Sequence, residues 1–297
     1  MNFDTAERPA VAPILWFIAI TFTATFGIEI WLIQNNISFG DVAVQSSPAL
    51  WLLAIMWIPG LTALLVSLFM EKTGIRGLKN ALSLRIGSLG PYFLTLFIAP
   101  AVYAAMYGLS WAFGLAEPDL AMTALTAAIG NDEPVTRETV FQIMLPLSIF
   151  LGPFINFIFG LGEELGWRGF LLPRLMPMGK IPAYLVLGIL WGLWHAPLIW
   201  AGFNYPGHPV AGIAMMCVLS TAFGLFINEM TLHYRSSLLA AFIHGAVNAQ
   251  GYGIWAWLFP GTAPLLGGGT GIIAAAIWLA TGILTICILS RFRSKNT

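Results

Sequence analysis

The chain has 297 residues, of which 58% are hydrophobic and only 9% are charged, whereas an ordinary soluble domain has about 25% charged residues. Its mean hydropathy is +0.83 and its formal net charge is zero. These values exclude an ordinary soluble domain and give no sign of a nucleic-acid partner. They predict an integral membrane protein in contact with lipids.

Eight stretches are apolar enough to cross a bilayer, which takes about 20 helical residues. They are residues 11–33, 50–70, 91–115, 141–172, 181–201, 210–229, 236–259 and 271–290. The fourth is over-long, so we expect a tilt, kink or break at Gly152-Pro153 or within 160–162. Because only short connections separate the stretches, the sequence predicts an all-α polytopic membrane helix bundle in which residues 1–297 form one domain.

The basic residues fix the expected orientation through the positive-inside rule. With both termini in the cytoplasm, 12 of the 13 basic residues lie on or toward the cytoplasmic side and only Arg137 lies outside. The twelve are Arg8, Lys72, Arg76, Lys79, Arg85, Arg168, Arg174, Lys180, Arg235, Arg291, Arg293 and Lys295. The expected outer loops are acidic instead, with Asp41, Glu117, Asp119, Asp132, Glu133 and Glu138. We expect a multi-pass protein of the bacterial plasma membrane.

The informative residues are the ionisable side chains within the apolar stretches, since a charge at the centre of a membrane helix costs roughly 2.5–3.5 kcal/mol. They are Glu29, Glu163, Glu164, Arg168, His195, Glu229 and His244. Each must be paired or face a hydrated cavity. Glu29 and Glu229 lie near the ends of their stretches, so we expect them to reach water or an interfacial partner.

The stretch FGLGEELGWRGF, residues 159–170, holds three of these charges. Glu164 and Arg168 are four residues apart, so they can pair on one helix face. Glu163 is rotated by about 100° from Glu164 and need not share that partner. The motif therefore separates a paired carboxylate from one that could act as a general base. Taken alone, it is equally compatible with a structural ion network.

Two further motifs each contain a histidine. In WGLWHAP, residues 191–197, Trp191 and His195 lie one turn apart, and Pro197 should kink the helix beside the histidine. In FIHGAVN, residues 242–248, His244 and Asn248 share a helix face. Either motif alone more often serves helix packing than chemistry.

We expect the three motifs to lie at similar depths in the membrane. At about 1.5 Å per residue, Glu163, His195 and His244 can meet in the cytoplasmic half of the bundle. A carboxylate base, two imidazoles and an amide together can catalyse hydrolysis. Asn156 lies two turns before Glu163 on its face, and Trp194 lies beside His195, so both are candidates to line the same cavity together with Trp191.

The three motifs together resemble the signature of the CAAX-protease and bacteriocin-processing (CPBP, also called Abi) family of intramembrane proteases, which includes the Rce1-type prenyl-protein endopeptidases. The family pattern is Glu-Glu-x-x-x-Arg, then Phe-x-x-x-His, then His-x-x-x-Asn or Asp. It corresponds here to 163–168, 191–195 and 244–248, with Trp191 at the usual phenylalanine position. The resemblance covers roughly residues 140–255, which we expect to form the catalytic core.

The resemblance implies a role for each motif residue. Glu163 and His195 would activate the attacking water, and His244 and Asn248 would stabilise the oxyanion of the tetrahedral intermediate. Glu164 and Arg168 would hold the site together. The resemblance implies a membrane-associated or lipidated polypeptide substrate. A prenylated C-terminal tail, a bacteriocin leader and an unrelated membrane-protein segment are all compatible with it.

The sequence leaves the metal dependence and two other functions open. Glu163, His195 and His244 could ligate Zn²⁺, although the absence of HE-x-x-H favours a metal-free glutamate protease. The absence of GxSxG and of aspartate in any stretch argues against serine and aspartyl intramembrane proteases. A transporter or channel that uses the cluster as an ion or proton relay, and a non-catalytic immunity-type scaffold, remain alternatives.

Overall fold

The computed structural model describes residues 11–36, 46–130 and 135–294, and every regular element in these ranges is a helix. The α-helices are α1 (Val11–Gln34), α2 (Ser46–Leu65), α3 (Gly74–Ala81), α4 (Gly90–Ala112), α5 (Thr123–Ala128), α6 (Arg137–Thr139), α7 (Leu145–Phe150), α8 (Gly152–Glu164), α9 (Leu172–Leu175), α10 (Lys180–Trp194), α11 (Ala196–Trp200), α12 (Pro209–Tyr234), α13 (Ser237–Gly251), α14 (Ile254–Leu258) and α15 (Ile272–Ser294). Wider π-helical turns occur at Val66–Met70, Val140–Met144 and Leu165–Leu171, and Met176–Met178 is a 3₁₀ turn. The predicted all-α membrane bundle is confirmed.

Six helical runs in the described ranges are long and apolar enough to cross a membrane. They are Val11–Gln34, Leu50–Met70, Gly90–Ala112, Arg137–Met178, Pro209–Tyr234 and Ile272–Arg291. The other two predicted spans contain α10 and α13, which have only 15 residues each and are about 22 Å long. The count of eight crossings and the orientation of the termini therefore stay predictions.

Two proline-containing breaks shape the predicted core. The over-long fourth stretch is interrupted at Leu151, between α7 and α8, just before Pro153. The expected kink near His195 is also present, because α10 ends at Trp194 and α11 begins at Ala196. Proline provides no backbone N–H for the helical ladder. Each break thus follows from the residue that cannot continue the helix.

Small residues allow the central helices to approach closely. Lipid is as apolar as the helix surfaces, so helix association in a membrane depends on such close packing and not on the hydrophobic effect. A β-carbon on Gly245 of α13 would lie 2.7 Å from the backbone nitrogen of Phe157 on α8. A β-carbon on Gly160 would lie 2.9 Å from the carbonyl oxygen of Ala241. Glycine at these positions lets α8 and α13, which carry the first and third motifs, pack backbone to backbone.

With the exception of Arg137 and the buried Arg168, the basic residues of the described ranges lie at one end of the bundle, which we call the basic end. It contains the connection from α2 to α4, the turn before α10, and the last residues of α12 and α15. Ser237 at the start of α13 donates to the carbonyl oxygen of Leu82 at 2.7 Å, and Arg174 pairs with Glu71. These contacts join the connections of the basic end. Arg8, Asp41, Asp132, Glu133 and Lys295 lie outside the described residues.

Replacing Gly188 with alanine tests the close approach of α10 to α12. The added β-carbon would lie 2.6 Å from the Cα atom of Thr221, and such overpacking costs about 1–3 kcal/mol. We expect Gly188→Ala to lower the thermal unfolding temperature of the protein in detergent. Gly108→Ala is the matched control, because its β-carbon would meet no atom within 4 Å. An equal effect of the two changes would contradict this packing.

Candidate active site

The Glu-Glu-x-x-x-Arg motif lies where α8 widens into the π-helical turn Leu165–Leu171. Such turns are rare and often occur at functional sites. Glu163, Glu164 and Arg168 are all buried inside the bundle, and the last two are 0% exposed. A β-carbon on Gly166 would meet Pro59 of α2 at 2.5 Å, so the wide turn is pressed against that helix. Its charged side chains therefore point into protein and not into lipid.

Glu164 is shared by two cationic or potentially cationic groups. Its Oε1 atom accepts a hydrogen bond from Nη1 of Arg168 at 3.0 Å, and the same oxygen lies 2.8 Å from Nδ1 of His244. Arg168 also donates from Nε to the side-chain oxygen of Asn228 at 3.1 Å. A carboxylate that contacts Nδ1 leaves Nε2 of His244 as the nitrogen available for chemistry. The expected Glu164–Arg168 pair is thus present, and it also orients a motif histidine.

Glu163 is held by the indole of Trp191. Its Oε2 atom accepts a hydrogen bond from Nε1 of Trp191 at 2.7 Å. The indole face lies 4.1 Å from the guanidinium carbon of Arg168, and its ring is 5.5 Å from that of His244 in an edge-on arrangement. Glu163 also interacts electrostatically with His244. Trp191 therefore contacts the first and third motifs while belonging to the second.

The break before Pro197 accounts for the orientation of His195. The backbone nitrogen of His195 bonds to the carbonyl oxygen of Gly192 at 3.2 Å, one residue short of the usual α-helical acceptor. The carbonyl oxygen of Trp191 instead lies 2.8 Å from Nδ1 of His195. Because a carbonyl oxygen can only accept, Nδ1 carries the proton. The neutral ring then presents an unprotonated Nε2, as a proton acceptor requires.

A cavity of about 450 Å³ adjoins the site, within the size range of ordinary ligand pockets. Trp191, His195, His244 and Asn248 all line its wall. Glu163 is not among the lining residues, since its carboxylate is turned toward the indole N–H. The structure thus brings four of the predicted site residues to one cavity. Glu163 is connected to this cavity through its hydrogen bond with Trp191.

With both glutamates ionised, the charges of the buried cluster balance only if His244 is protonated. Glu163 and Glu164 carry two negative charges when ionised, and Arg168 carries one positive charge. An unbalanced buried charge costs several kcal/mol. An imidazolium at His244 makes the cluster neutral and turns its Nε2 into a hydrogen-bond donor toward the cavity.

The donor set does not fit the Zn²⁺ site that the sequence left open. In the described residues, no three histidine, cysteine or acidic side chains are grouped so that they could hold a metal ion. The Oε2 atom of Glu163 accepts the hydrogen bond of the Trp191 indole, and the carboxylate is not part of the cavity wall that His195 and His244 line. Within the described part of the chain, the three side chains therefore do not form one metal-binding group.

Two residues expected to line the cavity do not do so. Trp194 is buried behind His195, where its indole nitrogen donates to the hydroxyl oxygen of Thr25 at 2.8 Å. The amide of Asn156 donates to the carbonyl oxygen of Gly152 at 3.0 Å, and the residue is absent from the cavity wall. Helical periodicity placed both residues on a plausible face but could not show which neighbour covers that face.

The structure corrects the expectation that Glu29 reaches water. Its side chain is 0% exposed, and neither of its carboxyl oxygens has a hydrogen-bond partner among the described residues. It lies one turn after Thr25 on the inner face of α1 and interacts electrostatically with Glu163. Glu229 has the partner that we expected, because it pairs with Lys180 and accepts a hydrogen bond from Tyr184 at 3.0 Å. The Thr21–Thr25–Glu29 spacing was the available sign that α1 has a polar inner face.

A double-mutant cycle tests the shared carboxylate. We expect Arg168→Met to destabilise the protein by about 3–5 kcal/mol, because it leaves the buried cluster with a negative charge that has no counter-charge. Glu164→Gln in the same chain should recover part of that loss by removing the orphaned charge. The measurement is thermal unfolding in detergent for both single variants and the double variant. Strictly additive effects would show that the two side chains do not depend on each other.

Replacing Glu29 tests whether its burial is a cost to folding. We expect Glu29→Met to stabilise the protein by roughly 1–3 kcal/mol, the usual desolvation penalty of an unsatisfied buried polar group. Thermal unfolding in detergent measures the change, and Glu29→Gln, which keeps a polar group in place, should stabilise it less. A destabilising Glu29→Met change would mean that the carboxyl group has a stabilising partner.

Comparison with known proteins agrees with this geometry. Residues 145–250 match the family model described as type II CAAX prenyl endopeptidase Rce1-like. The matched region contains all three motifs and the helices that bring them together, α8, α10 and α13. No curated protein matches the chain. The resemblance read from the motifs is confirmed: residues 145–250 of this chain are similar to the Rce1-like branch of the CPBP family of membrane endopeptidases.

Proposed function

We propose that this protein is an intramembrane endopeptidase that hydrolyses a peptide bond near the cytoplasmic face of the membrane, with water activated by Glu163 and His195. The observation that carries the proposal is the convergence of three motifs from α8, α10 and α13 on one cavity. The cluster that supports them is fully buried, although charged groups are costly inside a membrane. The family model that residues 145–250 match supports peptide-bond hydrolysis as the reaction.

Glu163 and His195 form the proton-accepting side of the proposed site. The indole hydrogen bond occupies Oε2 of Glu163, which leaves Oε1 to receive a proton from the attacking water. The unprotonated Nε2 of His195 offers a second acceptor on the cavity wall. The water oxygen attacks the carbonyl carbon, and the proton retained by these groups is later delivered to the departing amine nitrogen.

His244 and Asn248 form the proposed oxyanion hole. They lie one turn apart on α13, and both line the cavity. An imidazolium Nε2–H and a side-chain amide N–H are suited to stabilise the negative oxygen of the tetrahedral intermediate. Glu164 supports this role from the other side of the ring, because its bond to Nδ1 favours the protonated imidazole.

The proposed substrate is a membrane-associated or lipidated polypeptide, and the proposed location is a bacterial plasma membrane. Six helices with the length and apolarity of membrane spans support a multi-pass integral protein. The aromatic cavity offers no cluster of cations for a nucleic acid backbone.

Glu163→Gln is the decisive variant for the proposal. It keeps the size of the side chain and removes its ability to accept a proton, so we expect kcat for hydrolysis of a membrane peptide to fall by about 10²–10⁴-fold. The matched control is Glu138→Gln, the same chemical change at an exposed glutamate in α6. Hydrolysis is measured with purified, folded protein in detergent. Undiminished cleavage by Glu163→Gln would overturn the proposal, and ion flux in proteoliposomes without cleavage would favour a transporter.

A further inference from the structure

The connection between α2 and α4 joins two of the candidate membrane spans directly. The first span ends at Met70 and the second begins at Gly90. Residues 71–89, which include the short helix α3, therefore lie where these spans leave the hydrocarbon core and where lipid headgroups are the neighbours. This connection is the longest stretch of chain at the basic end that contacts no motif residue through its outer surface.

The connection carries four exposed cationic side chains. They are Lys72, Arg76, Lys79 and Arg85. Glu71 is the acidic residue of the same connection, and it already pairs with Arg174. Across the ranges that the structure describes, no acidic side chain forms an ion pair with any of the four. The connection thus presents an excess of positive charge to whatever lies beside it.

α3 places apolar side chains beside these cations. Arg76 and Lys79 are three residues apart on one face of the helix, and Ile75 and Leu78 are three residues apart on the adjoining face. Leu78 packs against the core of the bundle, but Ile75 is 82% exposed. Ile86, in the turn after α3, is 61% exposed. Cations next to exposed apolar side chains are typical of a helix that lies in the interface of a membrane.

We propose that residues 72–86 form a binding surface for anionic phospholipids, which we call the lipid surface. The unpaired cations would bind the phosphate of the headgroup, and Ile75 and Ile86 would enter the first part of the acyl region. A free phosphate ion would use the cations alone and would leave the two isoleucines exposed to water. The two kinds of side chain together therefore favour a lipid as the occupant.

The lipid surface is attached to the elements that carry the first and third motifs. A β-carbon on Gly169, the residue after Arg168, would lie 2.8 Å from the carbonyl oxygen of Leu82. The hydroxyl of Ser237, at the start of α13, donates to the same carbonyl oxygen at 2.7 Å. Its backbone N–H donates to the carbonyl oxygen of Ser83 at 3.0 Å. A lipid that orders the lipid surface thereby supports the packing of both motif elements.

A fluorophore beside the lipid surface measures binding without requiring activity. The free thiols of Cys217 and Cys287 are first replaced by serine, and Ser88→Cys provides an exposed position for the label. Titration with phosphatidylglycerol in mixed micelles should change the fluorescence at lower lipid content than titration with phosphatidylcholine. Equal titrations by the two lipids would overturn the proposal.

Charge variants of the labelled protein test which side chains bind the lipid. Arg76→Gln and Lys79→Gln should each lower the affinity for phosphatidylglycerol about fivefold, the usual contribution of one cation near an anionic lipid surface. Arg137→Gln is the matched control, because it makes the same change at an exposed arginine in α6. An affinity that falls equally in Arg76→Gln and Arg137→Gln would show a general effect of charge and would contradict the proposal.

An apolar variant distinguishes a lipid from a free phosphate. Ile75→Ser leaves the charge unchanged and should weaken phosphatidylglycerol binding by about tenfold, because an apolar side chain no longer enters the lipid. Ile129→Ser, at an exposed isoleucine after α5, should have no effect. Glycerol phosphate, which has no acyl chains, should not change the fluorescence. Saturation by glycerol phosphate, or unchanged binding by Ile75→Ser, would refute a lipid as the occupant.

Hydrolysis tests the link between the lipid surface and the motifs, and this step rests on the proposed function. In nanodiscs, kcat of the wild type should be higher with phosphatidylglycerol than with phosphatidylcholine. The Arg76→Gln/Lys79→Gln variant should lose that difference and keep its rate in phosphatidylcholine. Equal wild-type rates in the two lipids would refute the link. If the wild type cleaves no peptide in either lipid, the proposed function fails with the link, and the fluorescence result still establishes the lipid surface.

Discussion

The interaction on which the site depends is the sharing of one buried carboxylate by an arginine and a histidine. Glu164 and Arg168 are fully buried, and a charge in that position is stable only with a partner of opposite sign. The spacing of four residues supplies the first partner within one helix. His244 supplies the second from α13 at 2.8 Å. The pairing therefore fixes α8 against α13 and also sets the orientation of the imidazole of the third motif.

Trp191 connects this pairing to the rest of the site. Its indole N–H donates to Glu163, and its face covers Arg168 at 4.1 Å. Its carbonyl oxygen holds Nδ1 of His195 because the proline-induced break redirects the helical hydrogen bond. A phenylalanine, which is usual at this position of the family motif, could cover the arginine but could not donate to the carboxylate. The tryptophan of this chain thus adds a hydrogen bond that holds Glu163 in place.

Local spacing predicts contacts within one helix but cannot identify the neighbour across the bundle. It foresaw the Glu164–Arg168 pair and the break at Pro197, because both depend on residues within one or two turns. It did not show that His244 contacts Glu164 directly, which depends on how glycines let α8 and α13 approach. For the same reason, local spacing gave the wrong environment for Glu29. Its position near the end of α1 suggested access to water, but its side chain lies on the helix face that packs against the bundle.

The Trp191 indole also divides the polar interior into two regions with different roles. On one side are Glu163 and Glu29, which are buried and outside the cavity wall. On the other are the rings and amide that line the cavity, His195 among them. In the proposed reaction, a proton taken from water in the cavity passes beside the indole edge to reach Glu163. The proposal therefore places the attacking water at the short stretch of wall where the tryptophan and both histidines meet.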